Sequence, residues 1–152
     1  MQALSNTASL LKKHGIRPSL QRMAVLDYLA THRTHPTADE IYAALAPQIP
    51  TLSKTTVYNT LALLVQQGAV TQLTIDPREA RFDGDTTLHG HFYCEECGTL
   101  YDIPFSALPE LPALPEGYAL RETQLYYRGL CAACRCDTSR RPSERKTITV
   151  TQ

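Results

Sequence analysis

The sequence predicts an α+β fold, helices first and short strands after, and three observations predict it. Apolar residues recur at helical spacing as far as Gln67, interrupted only by Gly15, a His-Pro loop and a proline-flanked turn. After Gly68 the pattern changes to short runs rich in β-branched and aromatic residues. Two Cys-x-x-Cys pairs, Cys94/Cys97 and Cys131/Cys134, then bracket the second half. A length of 152 residues suits one domain or two small ones. The expected division is 1–84 for a helix-and-hairpin unit, 85–137 for a cysteine-bearing unit and 138–152 for a polar, mobile tail.

Residues 4–14 read as a short amphipathic helix stopped by Gly15. Pro18-Ser19 opens a second helix, with Met23, Val25, Leu26 and Leu29 spaced for one buried face. His32 to Pro36 is a loop, after which Thr37 and Glu40 form a capping box for a third helix whose apolar face is Ile41, Tyr42 and Leu45. Pro47 to Pro50 is a turn. Ser53 caps a fourth helix running to about Gln67, with Val57, Leu61 and Leu64 inward, and Gly68 ends it. Val70–Ile75 and Ala80–Asp83 around Asp76-Pro77-Arg78-Glu79 form a hairpin signal, so a winged helix-turn-helix is the economical reading of 1–84. Three further β segments are expected at His89–Cys94, Thr99–Ile103 and Tyr118–Leu130. Between them Pro109, Pro112 and Pro115 forbid a continuous helix over Phe105–Glu116 and leave at most one turn after Ser106.

The formal net charge is zero but unevenly spread: 8 basic against 6 acidic residues in 1–84, 3 against 8 in 85–137, and 4 against 1 in 138–152. A mildly basic unit joined to an acidic one fits a small DNA reader attached to a sensor. No apolar run approaches the roughly 18 residues that span a bilayer, and no signal-peptide core is visible, so a cytoplasmic protein without a membrane partner is expected. In that compartment five cysteines read as metal ligands or a redox dithiol rather than a disulfide framework.

Four thiolates from Cys94, Cys97, Cys131 and Cys134 suit a closed, structural Zn2+ site; Cys136 reads as a spectator. His89 and His91 alternate, so on a strand both imidazoles face one side, although a solvated strand face has the same pattern. Asp83 and Asp102 flank them within reach of the same ion. Nitrogen and oxygen ligands favour a borderline metal, Fe2+ or Mn2+, beside the sulfur-held zinc. Near the start of the fourth helix, Lys54, Thr55, Thr56, Tyr58 and Asn59 form the end that a recognition helix presents to base edges, with Arg22 and Lys54 placed for phosphates. An exposed helix face would look the same. His35, before a proline in a loop, reads from spacing alone as a surface residue, as do His14 and His32.

Taken together, His14-Gly15-Ile16-Arg17-Pro18-Ser19-Leu20-Gln21-Arg22, His35-Pro36-Thr37-Ala38-Asp39-Glu40-Ile41-Tyr42, Thr55-Thr56-Val57-Tyr58-Asn59-Thr60-Leu61, Arg81-Phe82-Asp83 and His89-Gly90-His91-Phe92-Tyr93-Cys94-Glu95-Glu96-Cys97-Gly98 resemble the ferric uptake regulator family over roughly residues 10–136. The resemblance implies a homodimer, a winged-helix DNA-binding domain, an α/β dimerisation domain and a double-stranded DNA operator. It implies structural zinc at the four cysteines and promotes His35 to a ligand of a regulatory Fe2+ or Mn2+ site with Asp83, His89, His91 and Asp102. Within the family, zinc-responsive members use a regulatory cysteine that is missing here. Iron-responsive members often carry His-His-Asp-His where Leu88-His89-Gly90-His91 stands, Glu at Asp83 and Asp102, and Arg at Asn59. The departures are most like the peroxide-responsive branch, in which a ligand histidine, here His35 or His89, is oxidised and DNA is released. The function expected is thus a metal-dependent repressor sensing peroxide. An iron-level repressor, a non-haem metalloenzyme and a zinc-stapled interaction module with no regulatory metal are the alternatives.

Overall fold

A computed structural model describes residues 2–105 and 113–136, residues 2–5 by backbone alone. The single turn expected after Ser106 and the tail 138–152 lie outside the described residues. The chain runs α1 (Gln2–Lys13), α2 (Leu20–Thr31), α3 (Ala38–Leu45), α4 (Lys54–Gln66), β1 (Thr71–Leu73), β2 (Arg81–Asp83), β3 (Gly90–Cys94), β4 (Leu100–Ile103), β5 (Leu125–Gly129) and α5 (Ala132–Cys136). The α+β order is the one expected from the change in periodicity at Gly68.

The helix signals act through identifiable bonds. Ser19 Oγ accepts the N–H of Arg22, Ser53 Oγ that of Thr56, and Thr37 and Glu40 exchange both bonds of a capping box. Gly15 and Gly68 take left-handed φ of 70° and 69°. Each ends its helix the same way: Ile16 N–H reaches Leu11 O and Ala69 N–H reaches Leu64 O, both at 2.9 Å. A side chain with a Cβ would be strained in that turn. Val25, Leu26, Leu29, Ile41, Leu45, Val57, Leu61 and Leu64 are buried as the spacing requires, whereas Met23 and Tyr42 only border the core.

β1 and β2 pair antiparallel, and β3 is the centre of a second sheet in the order β4-β3-β5, antiparallel to β4 and parallel to β5. The strands are shorter than their apolar runs. The expected strand Tyr118–Leu130 survives only as Leu125–Gly129: Tyr118 and Leu120 are exposed and, among the described residues, pair with no strand. The five-residue α5 was not legible. His89 lies just before β3 rather than within it.

Two cores result. The larger gathers α1–α4 with Val70 and Phe82. The smaller joins Leu73 and Ile75, from the hairpin, to Tyr93, Leu100 and Tyr126 of the second sheet. Tyr126 Oη accepts the N–H of Thr74 at 3.1 Å and Gln124 Nε2 donates to Gln72 O at 3.1 Å, so side chains from β5 and the residue before it bond the hairpin's backbone as well as sharing apolar surface with it.

Two features of the hairpin are testable. After Asp83 the chain passes so close to α2 that a Cβ on Gly84 would stand 2.9 Å from Leu29 O. Backbone cannot yield as a flexible side chain can, so Gly84→Ala should cost about 1–3 kcal/mol in urea denaturation. Asp76, fully buried in the hairpin loop, is bonded by the side chains of Arg78 and Arg81 and by Arg78 N–H. Burial alone would raise its pKa, but the Arg78 and Arg81 bonds outweigh burial and lower it from 3.8 to about 2. The stabilisation is fully present above the unfolded value and lost as pH falls through about 2. Asp76→Asn should therefore destabilise by on the order of 1–2 kcal/mol at pH 7, allowing for solvent around Arg78, with the gap to wild type closing in acid.

Candidate metal centres

Five side chains from four parts of the chain converge beside the hairpin. His35 comes from the loop before α3, Asp83 ends β2, His89 precedes β3, and the β3–β4 register sets His91 directly opposite Asp102. Cross-strand partners project to the same face, which brings the last two ligand types together. One atom of each lies within 4.8 Å of one atom of every other.

The convergence is specific to one atom per residue. Asp83 Oδ2 lies 3.0 Å from His89 Nε2, 3.1 Å from His91 Nε2 and 3.6 Å from His35 Nε2. Its other oxygen accepts Asp85 N–H at 2.8 Å, which fixes the rotamer. Asp102 Oδ1 lies 2.8, 3.3 and 3.6 Å from the same nitrogens of His35, His89 and His91. His89 Nδ1 is 2.8 Å from Thr87 O. A carbonyl can only accept, so Nδ1 carries the proton and Nε2 presents its lone pair to the cluster.

Burial sharpens the chemistry. His35, Asp83 and His91 are 2%, 5% and 5% exposed, whereas Asp102 is a third exposed and marks the open side. Among the described residues the only buried side-chain nitrogen or oxygen atoms without a hydrogen-bond partner are Nδ1 and Nε2 of His35. The short approach of Nε2 to Asp102 is a close charge contact without hydrogen-bond alignment. Burial would lower the His35 pKa, but Asp83 and Asp102 outweigh it and raise it. Burial likewise opposes ionisation of Asp83, yet the nearby His35 imidazole and the bonds from His91 and Asp85 N–H hold it far below the usual carboxylate range. Lone pairs and carboxylates aimed at one another need a shared cation or shared protons. Three imidazoles and two carboxylates fit a borderline divalent ion.

The second group is all sulfur: Cys94, Cys97, Cys131 and Cys134. Cys94 closes β3 opposite Gly129 of β5, and Gly98, at φ 71°, lets its N–H reach back to Cys94 O at 2.8 Å. The sheet thus delivers one pair to the other. Cys97 and Cys131 sulfurs are 3.9 Å apart, close to the edge of about 3.8 Å in a ZnS4 tetrahedron with bonds near 2.3 Å. Burial pushes the Cys94 thiol up, but N–H groups of Cys97, Cys131 and Glu96 prevail and bring it to about 6. Cys131 is lowered by Cys134 N–H, while Cys134 is pushed up to about 12, first by the Cys131 sulfur. The donor set fits zinc, and Cys136 lies outside it, as expected.

On α4, Lys54, Thr55, Tyr58 and Asn59 are exposed, while Thr56 is half-buried and bonded to Ser53 through N–H and hydroxyl. Arg22 is on α2, its Nη1 donating to Arg17 O at 2.8 Å. Sequence reasoning missed Asp39, which meets Lys54 Nζ at 3.0 Å and Tyr58 Oη at 3.3 Å. It also missed Arg81, which donates to His35 O, and Thr87, whose carbonyl meets His89 Nδ1. None carries a spacing signal, because each partner lies elsewhere in the chain or is a backbone atom.

Comparison with known proteins agrees with the geometry. The model of the ferric uptake regulator family matches residues 13–127. The peroxide-responsive repressor PerR of Staphylococcus aureus is 37% identical over 134 residues, covering 86% of this chain and 90% of that protein. The ferric uptake regulator Fur of Helicobacter pylori superposes with a TM-score of 0.66 at 21% identity, over 90% of this chain and 94% of that one. A zinc uptake regulator complexed with zinc and DNA superposes with a TM-score of 0.61 at 20% identity, over 88% and 93%. The two structures share the fold.

Proposed function

The chain belongs to the ferric uptake regulator family, and on that premise we propose that it is a metal-dependent DNA-binding repressor that senses peroxide. The observation that carries the reading is His35: buried, without a hydrogen-bond partner on either ring nitrogen, and aimed at two carboxylates and two further imidazoles. His35, Asp83, His89, His91 and Asp102 hold Fe2+ or Mn2+ in this reading, and Cys94, Cys97, Cys131 and Cys134 hold structural Zn2+. Residues 1–84 form the DNA-reading unit and 85–137 the dimerising unit, a division supported by the larger core lying within the first.

His35 belongs to the reading unit, while His91 and Asp102 belong to the sheet and His89 immediately precedes it. Side chains that share one ion favour the arrangement in which α3 and α4 stand fixed against the sheet, by as much as they bind it better in that arrangement. In a homodimer two α4 helices then address half-sites about one helical turn apart on a double-stranded operator. Lys54, Thr55, Tyr58 and Asn59 face bases and phosphates, Thr56 is held by the Ser53 cap, and Arg22 adds a phosphate contact. That a fold relative has been solved with DNA supports the mode. No helix among the described residues is long and apolar enough to cross a membrane.

Fe2+ held by His35, Asp83, His89, His91 and Asp102 would supply the one-electron reduction of hydrogen peroxide to hydroxide and an oxidising radical, chemistry that Mn2+ in the same residues would resist. In this reading His35 or His89 is the residue oxidised, and an oxidised imidazole is a poorer ligand, so the contact between the units is released. The match to a peroxide-responsive repressor at 37% identity favours this over iron-level sensing and over an enzymatic role.

His35→Ala should abolish Mn2+-dependent binding to an operator selected from random duplexes with the wild-type protein, while zinc stays at one per chain; an undiminished gel shift rejects His35 as a ligand. Peroxide should release DNA from the Fe2+-loaded protein but not from the Mn2+-loaded one, with one added oxygen on the His35 or His89 peptide by mass spectrometry. Release by chelation alone, with peroxide inert, identifies an iron-level sensor.

A further inference from the structure

Arg81 is not among the five converging side chains, yet its guanidinium touches buried Asp76, the loop that carries His35 and the cap of the helix that follows. Nε and Nη2 donate to Asp76 Oδ2 at 3.1 and 2.9 Å, and Nη1 donates to His35 O at 3.4 Å. Nη1 also stands 3.8 Å from Glu40 Oε2, the oxygen that accepts Thr37 N–H at 2.8 Å in the α3 capping box. Phe82, the next residue, donates its N–H to Pro36 O at 3.0 Å. The Arg81 side chain is 13% exposed and that of Asp76 is wholly buried, so this is no solvated surface pair. Both loop carbonyls, at 35 and 36, are therefore tied to β2.

The loop needs tying. His35 has φ 52°, the only left-handed non-glycine among the described residues, and it precedes a proline, which disfavours helical backbone before it. Such a residue stores backbone strain and relaxes unless its surroundings hold it. The guanidinium fork, aimed by a buried carboxylate, is rigid enough to do so where an ammonium is not.

We propose that Arg81, oriented by Asp76, is a positioning residue for His35: it holds the left-handed backbone that keeps the imidazole aimed into the metal centre, and so sets the affinity of that centre. The proposal rests on the reading of His35 as a ligand. A loop free to relax populates other conformers, and apparent affinity falls with the competent fraction. Contact with Glu40 links the same guanidinium to the cap of α3, so metal-loaded His35 and the reading helices share one support.

The test is calorimetric titration of the zinc-loaded, full-length protein with Mn2+. Arg81→Ala should weaken Mn2+ binding at least tenfold with zinc content unchanged, and Arg81→Lys should recover part of the loss by keeping charge and one donor. Val57→Ala, which destabilises the α4 core without touching the loop, should leave Mn2+ affinity unaltered. In a His35→Ala background, Arg81→Ala should add nothing further. Wild-type affinity in Arg81→Ala and Arg81→Lys, or full additivity with His35→Ala, overturns the proposal. Wild-type Mn2+ affinity in His35→Ala overturns the ligand reading itself, and the two failures are thereby told apart.

Discussion

The structure depends on an arrangement that is unfavourable by itself: imidazole lone pairs and two carboxylates facing one another out of water. Asp83 Oδ2 and Asp102 Oδ1 each lie within 3.6 Å of three Nε2 atoms. Burying such groups without a proton or cation between them costs several kcal/mol, more than most single contacts in the core contribute. The fold stabilises the geometry from outside. Asp85 N–H fixes one carboxylate, Thr87 O one imidazole, and the pairing of β3 with β4 places His91 against Asp102. A divalent ion held there would convert the same geometry from a liability into a tie between the loop before α3 and the sheet.

The cysteine cluster has a different role. It lies where β3 and β5 end side by side, and the N–H groups around Cys94 favour its thiolate even without an ion. A sheet of three short strands holds little apolar surface of its own: Tyr93, Leu100 and part of Tyr126, completed by Leu73 and Ile75 from the hairpin. A covalent-strength tie at the strand ends is what so small a core needs. With β3 anchored at Cys94, His91 three residues earlier has a fixed register, so the sulfur site supports the nitrogen and oxygen site mechanically.

The face of α4 assigned to DNA in the proposed function is also organised by a contact from a neighbouring helix. Asp39, in the first turn of α3, meets both Lys54 and Tyr58 of α4. These groups are exposed, so the bonds contribute little to stability. They do place two side chains of the reading helix in relation to α3, the helix that begins just after His35. The path from metal centre to reading helix is therefore a few residues long, through the capping box and Asp39.

The sequence by itself determined the helices, their caps and stops, the hairpin, the sulfur cluster and the family. Each of those is local: a hydroxyl three residues before its N–H, a glycine at a left-handed turn, two thiols across one tight turn. Resemblance, and not spacing, marked His35, since a histidine before proline has no local signature of burial. Only the tertiary structure decided that Tyr118–Gln124 would find no strand partner, that His35 would be forced left-handed and inward, and that Arg81 would reach its carbonyl from 46 residues away. These depend on which distant backbone lies alongside. Side-chain periodicity reports which face is buried, but it says nothing about the backbone atom that face will meet.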